Sequence, residues 1–191
     1  EARIGRHLAH RRGEFVLSSK VGEVFSGGVS RYDFTPEAMR RSVAESLRRL
    51  RTDAVDLLLV HSDGRDEESL AGERVPETML ALKQEGLARR IGFSGKTVAG
   101  ATAALAWADA IMVEYHAADT SHDAVMRTAH DRGVGVLVKK ALASGHHDPA
   151  EAIPFAASHP AADCVVVGGL NLEHLSRNAR LADEAARHRR A

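Results

Sequence analysis

The sequence predicts a parallel α/β fold made of repeated strand–helix units. Apolar runs of strand length alternate with helically patterned stretches along all 191 residues, and no linker or low-complexity segment interrupts them. Such repeats require parallel strands joined by right-handed crossovers. An open doubly wound sheet and a (β/α) barrel both meet that requirement. No G-x-G-x-x-G follows the first strand, which weighs against the open dinucleotide-binding sheet. A closed barrel needs eight units and about 250 residues. The chain shows about six units, so its spacing matches three-quarters of a barrel, partial and open, as a single domain over 1–191.

Residues 15–19 read as the first strand, closed by Lys20, and a polar loop with Gly22, Gly27 and Gly28 follows. Thr35-Pro36-Glu37 starts a helix: a capping oxygen, a proline where no N–H is needed, and an acid in the first turn. Met39, Val43, Leu47 and Leu50 continue it at helical spacing. The next strand covers 55–60 and the next helix 76–85. Ile91, Gly92, Phe93 and Ser94 form a short strand before an alanine-rich helix at 99–107. A strand at 110–115 precedes a helix at 123–132, and a strand at 134–138 precedes a weak helix at 150–158. Val165, Val166 and Val167 make the last strand. Residues 172–187 make the last helix, with Leu175, Ala179 and Ala182 or Ala186 on one face.

Lys plus Arg and Asp plus Glu each number 26, so no field of one sign exists to gather nucleic acid or anionic lipid. Hydrophobic residues make up 44%, which fits a globular chain rather than a disordered one. The single cysteine, Cys164, excludes an internal disulfide and suits a reducing, cytoplasmic setting. No apolar run is long enough to span a bilayer, and the start has no signal-peptide pattern.

In parallel α/β folds chemistry collects past the carboxyl ends of the strands. Lys20, His61, Ser94, the Glu114/His116 pair, Lys139 with Lys140, and Gly168 with Gly169 hold those positions in turn. Gly168-Gly169 ahead of a helix lets backbone N–H groups approach a phosphate. The tandem His146-His147 has neither the spacing nor the second ligand cluster of a metal site, and no metal is expected.

Six motifs stand in the order and spacing of the aldo/keto reductases: FVLSSKVG (15–22), DAVDLLLVHSDG (53–64), IGFSGKT (91–97), MVEYH (112–116), VGVLVKKALASG (134–145) and VVVGGLNLEHLSRN (165–178). The chain resembles that family over nearly its whole length. The resemblance implies a TIM-type (β/α)8 barrel that reduces aldehydes and ketones with a nicotinamide cofactor, NADP being expected and NAD the alternative. It also implies a site of Asp, Tyr, Lys and His, in which the tyrosine protonates the carbonyl oxygen while hydride arrives at carbon. Lys20 matches the lysine, whose ammonium lowers a phenol pKa otherwise near about 10. His61 matches the histidine that hydrogen-bonds and orients the carbonyl.

The family tyrosine and aspartate fall before the strand that Lys20 closes, and the chain begins at Glu1 without a methionine. Tyr32 comes after Lys20 and Tyr115 lies within a strand, so neither matches the tyrosine. The 191 residues therefore carry half of the tetrad and are expected to be inactive by themselves. Unpaired edges of an open barrel are expected to drive self-association. For the cofactor, Ser94 matches the carboxamide contact, with Gly95 where many members have asparagine, Met112 where many have glutamine, and Lys139 where many stack an aromatic ring. Gly168, Gly169 and Asn171 match the loop before the last helix. His174, Arg177 and Asn178 match its adenosine-facing turn, with Arg177 set to pair a 2′-phosphate.

The expected partner is a small-molecule carbonyl substrate, with neither nucleic acid nor membrane. The loops at Gly27-Gly28 and 65–75 are candidates for lining its pocket. Two other classes stay open: a non-catalytic nicotinamide-cofactor-binding barrel module, and an unrelated barrel enzyme using Lys20 as a Schiff-base nucleophile.

Overall fold

The computed structural model describes residues 1–72 and 74–190. The chain divides into two compact units, Glu1–Asp109 and a second that starts at Ala110.

The first unit opens with helix α1 (Ala2–His7) and a 3-10 segment, Ala9–Glu14. Strand β1 (Ser18–Val21) follows. It starts three residues later than the apolar run suggests, because Phe15 ends the 3-10 segment as its C-cap. An antiparallel hairpin, β2 (Glu23–Ser26) and β3 (Val29–Tyr32), occupies what the sequence reads as a loop. Its two-residue turn is Gly27-Gly28, with φ of 59° and 81°. Positive φ at both turn positions matches the right-handed twist of the flanking strands and favours glycine.

Helix α2 (Pro36–Leu50) forms as its start signal predicts: Thr35 Oγ1 accepts from the Ala38 N–H, and Pro36 sits in the first turn. Strand β4 (Val55–His61) leads into helix α3 (Asp66–Gly72) and helix α4 (Val75–Gln84). The short acidic α3 lies in the segment expected to be loop, of which Glu73 is outside the described residues. Strand β5 (Ala88–Ser94) and helix α5 (Val98–Ala104) complete the unit. The strands are parallel in the order β1-β4-β5. One face of them, Val21, Leu58, Val60, Ile91 and Phe93, is buried, as are Met39, Val43 and Leu50 of α2 and Val75, Met79 and Leu82 of α4. Full burial of each large side chain contributes about 1.5–3 kcal/mol.

The second unit runs β6 (Ala110–Glu114), α6 (Asp123–Asp131), β7 (Gly135–Lys139), α7 (Pro149–Ala157), β8 (Cys164–Val165) and α8 (Leu172–Arg190). Its strands are parallel in the order β6-β7-β8. The last strand is shorter than its valine run suggests, since Val166 and Val167 lie beyond its end.

Aspartates at or just before strand starts accept from backbone N–H groups. Leu17 N–H donates to Asp56 Oδ2 at 2.8 Å, Ile91 N–H to Asp109 Oδ2 at 2.9 Å, and Val136 N–H to Asp163 Oδ2 at 2.8 Å. Each satisfies a donor outside the regular ladder. Arg12 pairs with Asp56 at 2.7 Å, beside a cleft of about 500 Å³ at that end of the first unit. Such charge pairing at the amino ends of parallel strands serves stability rather than chemistry.

Asp123 begins α6 and accepts from Arg127 Nε at 2.9 Å and from His159 Nε2 at 2.9 Å. His159 Nδ1 accepts from the Ala161 N–H, which leaves the ring proton on Nε2. Arg127 first and His159 second hold the Asp123 carboxyl at about 2, below its usual 3.8. The folded-state pKa is depressed, so the stabilisation is complete above the ordinary value and vanishes as pH falls through about 2. Asp123→Asn is therefore expected to lower the urea midpoint at about pH 6, with the gap to the parent closing as pH falls below about 4. An equal gap at both ends of that range contradicts the assignment.

Candidate active site

The register brings three of the sequence-predicted site residues onto one face. Lys20 pairs with Leu59, and His61 pairs with Ser94. Register partners project from the same face of a sheet, and so do alternate residues along a strand. Lys20, Leu59, His61 and Ser94 thus share a face opposite the buried Val21, Val60 and Phe93. Lys20 is the penultimate residue of β1, and His61 and Ser94 close β4 and β5. Lys20 is exposed, His61 half-buried and Ser94 buried.

The β2–β3 hairpin adds groups that sequence reasoning missed. His61 Nδ1 lies 2.5 Å from Glu23 Oε2. The other carboxylate oxygen, Oε1, accepts from the Ser30 hydroxyl and from the Tyr32 hydroxyl at 3.3 Å. The Tyr32 ring meets the imidazole edge-on, with centroids 6.4 Å apart. Ser30 first, and then His61, hold the Glu23 carboxyl below the usual range. Burial and the Glu23 carboxylate push the Tyr32 phenol up, the opposite of what a proton donor tuned to neutral pH needs. A hairpin signal was present in the sequence: strand-like runs on either side of Gly27-Gly28 place Glu23 opposite Tyr32.

The residue after Ser94 has a physical reason to be glycine. A Cβ at Gly95 would stand 2.6 Å from the Phe93 ring and 2.8 Å from Asp66 Oδ2. Asp66 is 1% exposed and was also missed. Its Oδ2 accepts from the N–H groups of Lys96 (2.7 Å) and Thr97 (2.8 Å) and from Thr97 Oγ1 (3.1 Å), while Oδ1 accepts from Ser62 Oγ. One carboxylate thus ties α3 to the start of α5, immediately past Ser94. An asparagine at position 95 has no room in this arrangement.

In the second unit, Lys139 closes β7 and is half-buried. Lys140 turns into the left-handed region, φ 55°, and its Nζ meets Glu114 Oε2 at 2.7 Å. Glu114 also faces His116 Nε2 at 3.3 Å. Lys140 and His116 hold its carboxyl low against a burial effect that acts the other way. His147 packs its ring against that of His116, centroids 5.4 Å apart, and no metal-holding cluster of His, Cys, Asp and Glu occurs among the described residues.

The glycine-loop candidates come together. A cleft of about 560 Å³ is lined by Gly168, Gly169, Asn171, His174, Arg177 and Asn178, with leucines around them. Asn171 Oδ1 accepts from the N–H groups of Glu173 (2.8 Å) and His174 (3.3 Å), capping α8. The open Cα of Gly168 has nothing within 4 Å of where a Cβ would stand, so the loop leaves space at the helix start. A helix amino end, a glycine backbone and the exposed Arg177 and His174 form a donor set suited to phosphate groups.

Among the described residues no helix is long and apolar enough to cross a membrane. The family model for the aldo/keto reductases matches residues 1–152. A Pseudomonas aeruginosa crystal structure described as an aldo-keto reductase is 41% identical, with a TM-score of 0.91, and the match covers 96% of this chain and 73% of that one. The holo form of the aldo-keto reductase AKR11C1 from Bacillus halodurans, 21% identical, shares the fold at a TM-score of 0.82, over 99% of this chain and 76% of that one. Among curated relatives, L-galactose dehydrogenase of Arabidopsis thaliana is 35% identical over 85 residues, which is 44% of this chain and 25% of that protein. D-threo-aldose 1-dehydrogenase of a Pseudomonas species is 29% identical over 130 residues, 57% of this chain and 40% of that protein. The matched stretches thus span less than half of either curated relative. The fold is that of the (β/α)8 barrels in this group, and the chain belongs to the aldo/keto reductase family.

Proposed function

We propose that the intact natural protein is an NADP-dependent oxidoreductase that reduces aldehydes or ketones to alcohols. The observation that carries this reading is the placement of Lys20, His61 and Ser94 on one face of three successive parallel strands. His61 hydrogen-bonds the carbonyl oxygen and holds the carbonyl in place. Lys20 sets an ammonium beside the proton donor, easing release of the proton that the oxygen receives. Ser94 holds the carboxamide of the nicotinamide.

The cofactor's other end is assigned to Gly168, Gly169, Asn171, His174, Arg177 and Asn178. The open glycine backbone and the capped start of α8 fit a pyrophosphate, and Arg177 fits a 2′-phosphate. When bound, the dinucleotide supplies hydride to the carbonyl carbon. A Schiff-base role for Lys20 needs an amine desolvated in an apolar pocket, whereas this side chain stands exposed.

Titration of the intact protein with NADPH, followed by turnover with a generic aldehyde, separates an enzyme from a cofactor-binding module: binding without turnover favours the module. Arg177→Ala is expected to weaken NADPH binding about tenfold and to leave NADH binding unchanged. Equal losses for both cofactors contradict the 2′-phosphate assignment.

A further inference from the structure

We propose that Glu23 is a positioning residue for His61: its carboxylate fixes the ring proton on Nδ1 and favours the charged imidazole. The functional half of this inference rests on the reductase reading of His61; the pairing does not.

The hydrogen-bond pattern around Glu23 settles which partner donates. Two hydroxyls, those of Ser30 and Tyr32, share Oε1, and His61 Nδ1 lies 2.5 Å from Oε2. A carboxylate surrounded in this way is held ionised, consistent with its lowered pKa. An ionised carboxylate only accepts, so Nδ1 carries the proton. The neutral ring is then the Nδ1–H tautomer, in which Nε2 accepts. Protonation turns Nε2 into a donor. A carbonyl oxygen needs a donor and an alcohol hydroxyl needs an acceptor. The same histidine therefore serves reduction when charged and oxidation when neutral, and a carboxylate at contact distance favours the charged state.

The charged and titratable groups facing His61 from the hairpin are Glu23 on β2 and Tyr32 on β3. Lys20 stands near the end of the neighbouring β1, and Asp63 follows two residues on. Tyr32 keeps its proton, because burial and Glu23 both push its pKa up. Glu23 is the nearest of these anions to the ring and also orients it. The hairpin turn at Gly27-Gly28 fixes the register that sets Glu23 opposite Tyr32.

The test is ¹⁵N NMR of histidine-labelled intact protein, with the His61 signal assigned by its loss in His61→Asn. The parent is expected to show the Nδ1–H tautomer at high pH. Glu23→Gln, which keeps the size and removes the charge, is expected to shift the population toward Nε2–H. It is also expected to lower the His61 titration midpoint by about one pH unit. Glu23→Asp is expected to restore part of the midpoint. In turnover, Glu23→Gln is expected to lower kcat for reduction about tenfold, with the cofactor Kd unchanged and the alkaline limb moved to lower pH. An unchanged tautomer and midpoint in Glu23→Gln overturn the inference and leave the reductase reading standing. The NMR signature in a protein that turns over no carbonyl upholds the pair and sinks the reductase reading instead.

Discussion

Asp66→Ala is expected to lower folding stability by about 3 kcal/mol, several times the effect of an average surface substitution. The side chain is 1% exposed, and its two oxygens serve four donors. Removing it leaves the N–H groups of Lys96 and Thr97 without their carboxylate acceptor at the start of α5, and Ser62 Oγ without its buried partner. Each buried donor left unmade costs about 1–3 kcal/mol. The surroundings cannot close over the gap cheaply: the Gly100 backbone already sits against the Asp66 side chain with no space for a Cβ. Asp66→Asn retains one acceptor oxygen and is expected to lose less. Urea unfolding gives the magnitude, and amide hydrogen exchange at Lys96 and Thr97 gives the location. A loss below about 1 kcal/mol, or exchange unchanged at those two amides, would mean that water replaces the carboxylate without penalty.

His61→Ala in the intact protein is expected to lower kcat by about 10²- to 10³-fold while the cofactor Kd stays within about twofold. The asymmetry follows from where the imidazole sits. It closes β4 on the face shared with Lys20 and Ser94. A hydrogen bond to the carbonyl oxygen strengthens as that oxygen gains negative charge, so its loss falls on the transition state more than on binding. Normal turnover in this variant, or a cofactor Kd that rises in step with the loss of kcat, removes His61 from its assigned role.

Much of the fold was legible because strong local signals and tertiary packing agreed. Thr35-Pro36-Glu37 started α2 where its cap chemistry required, and Met39, Val43 and Leu50 went into the core. Residues closing apolar runs, His61 and Ser94, closed strands. The hairpin was not legible because Gly22, Gly27 and Gly28 and the polar residues among them read as a loop, while its two strands are only four residues long. Helix α3 was lost for a different reason: DEESLAG has no apolar stripe, and what anchors it is Asp66 reaching residues some thirty positions away. An aspartate is ordinarily exposed, so its burial is a tertiary event with no local signature. The departure at Gly95 could be seen in the sequence, but its cause, the space taken by Phe93 and Asp66, could not.

The measurement that reaches the central claim most directly is isotope transfer. The intact protein is incubated with an aldehyde and NADPH carrying deuterium at the transferable position of the nicotinamide, and the alcohol is analysed by mass spectrometry and NMR. One deuterium bound to the former carbonyl carbon, formed with the parent and lost with His61→Ala, is the predicted result. Alcohol without deuterium at that carbon, or cofactor bound with no alcohol formed, would contradict the assignment of these strand ends to carbonyl reduction.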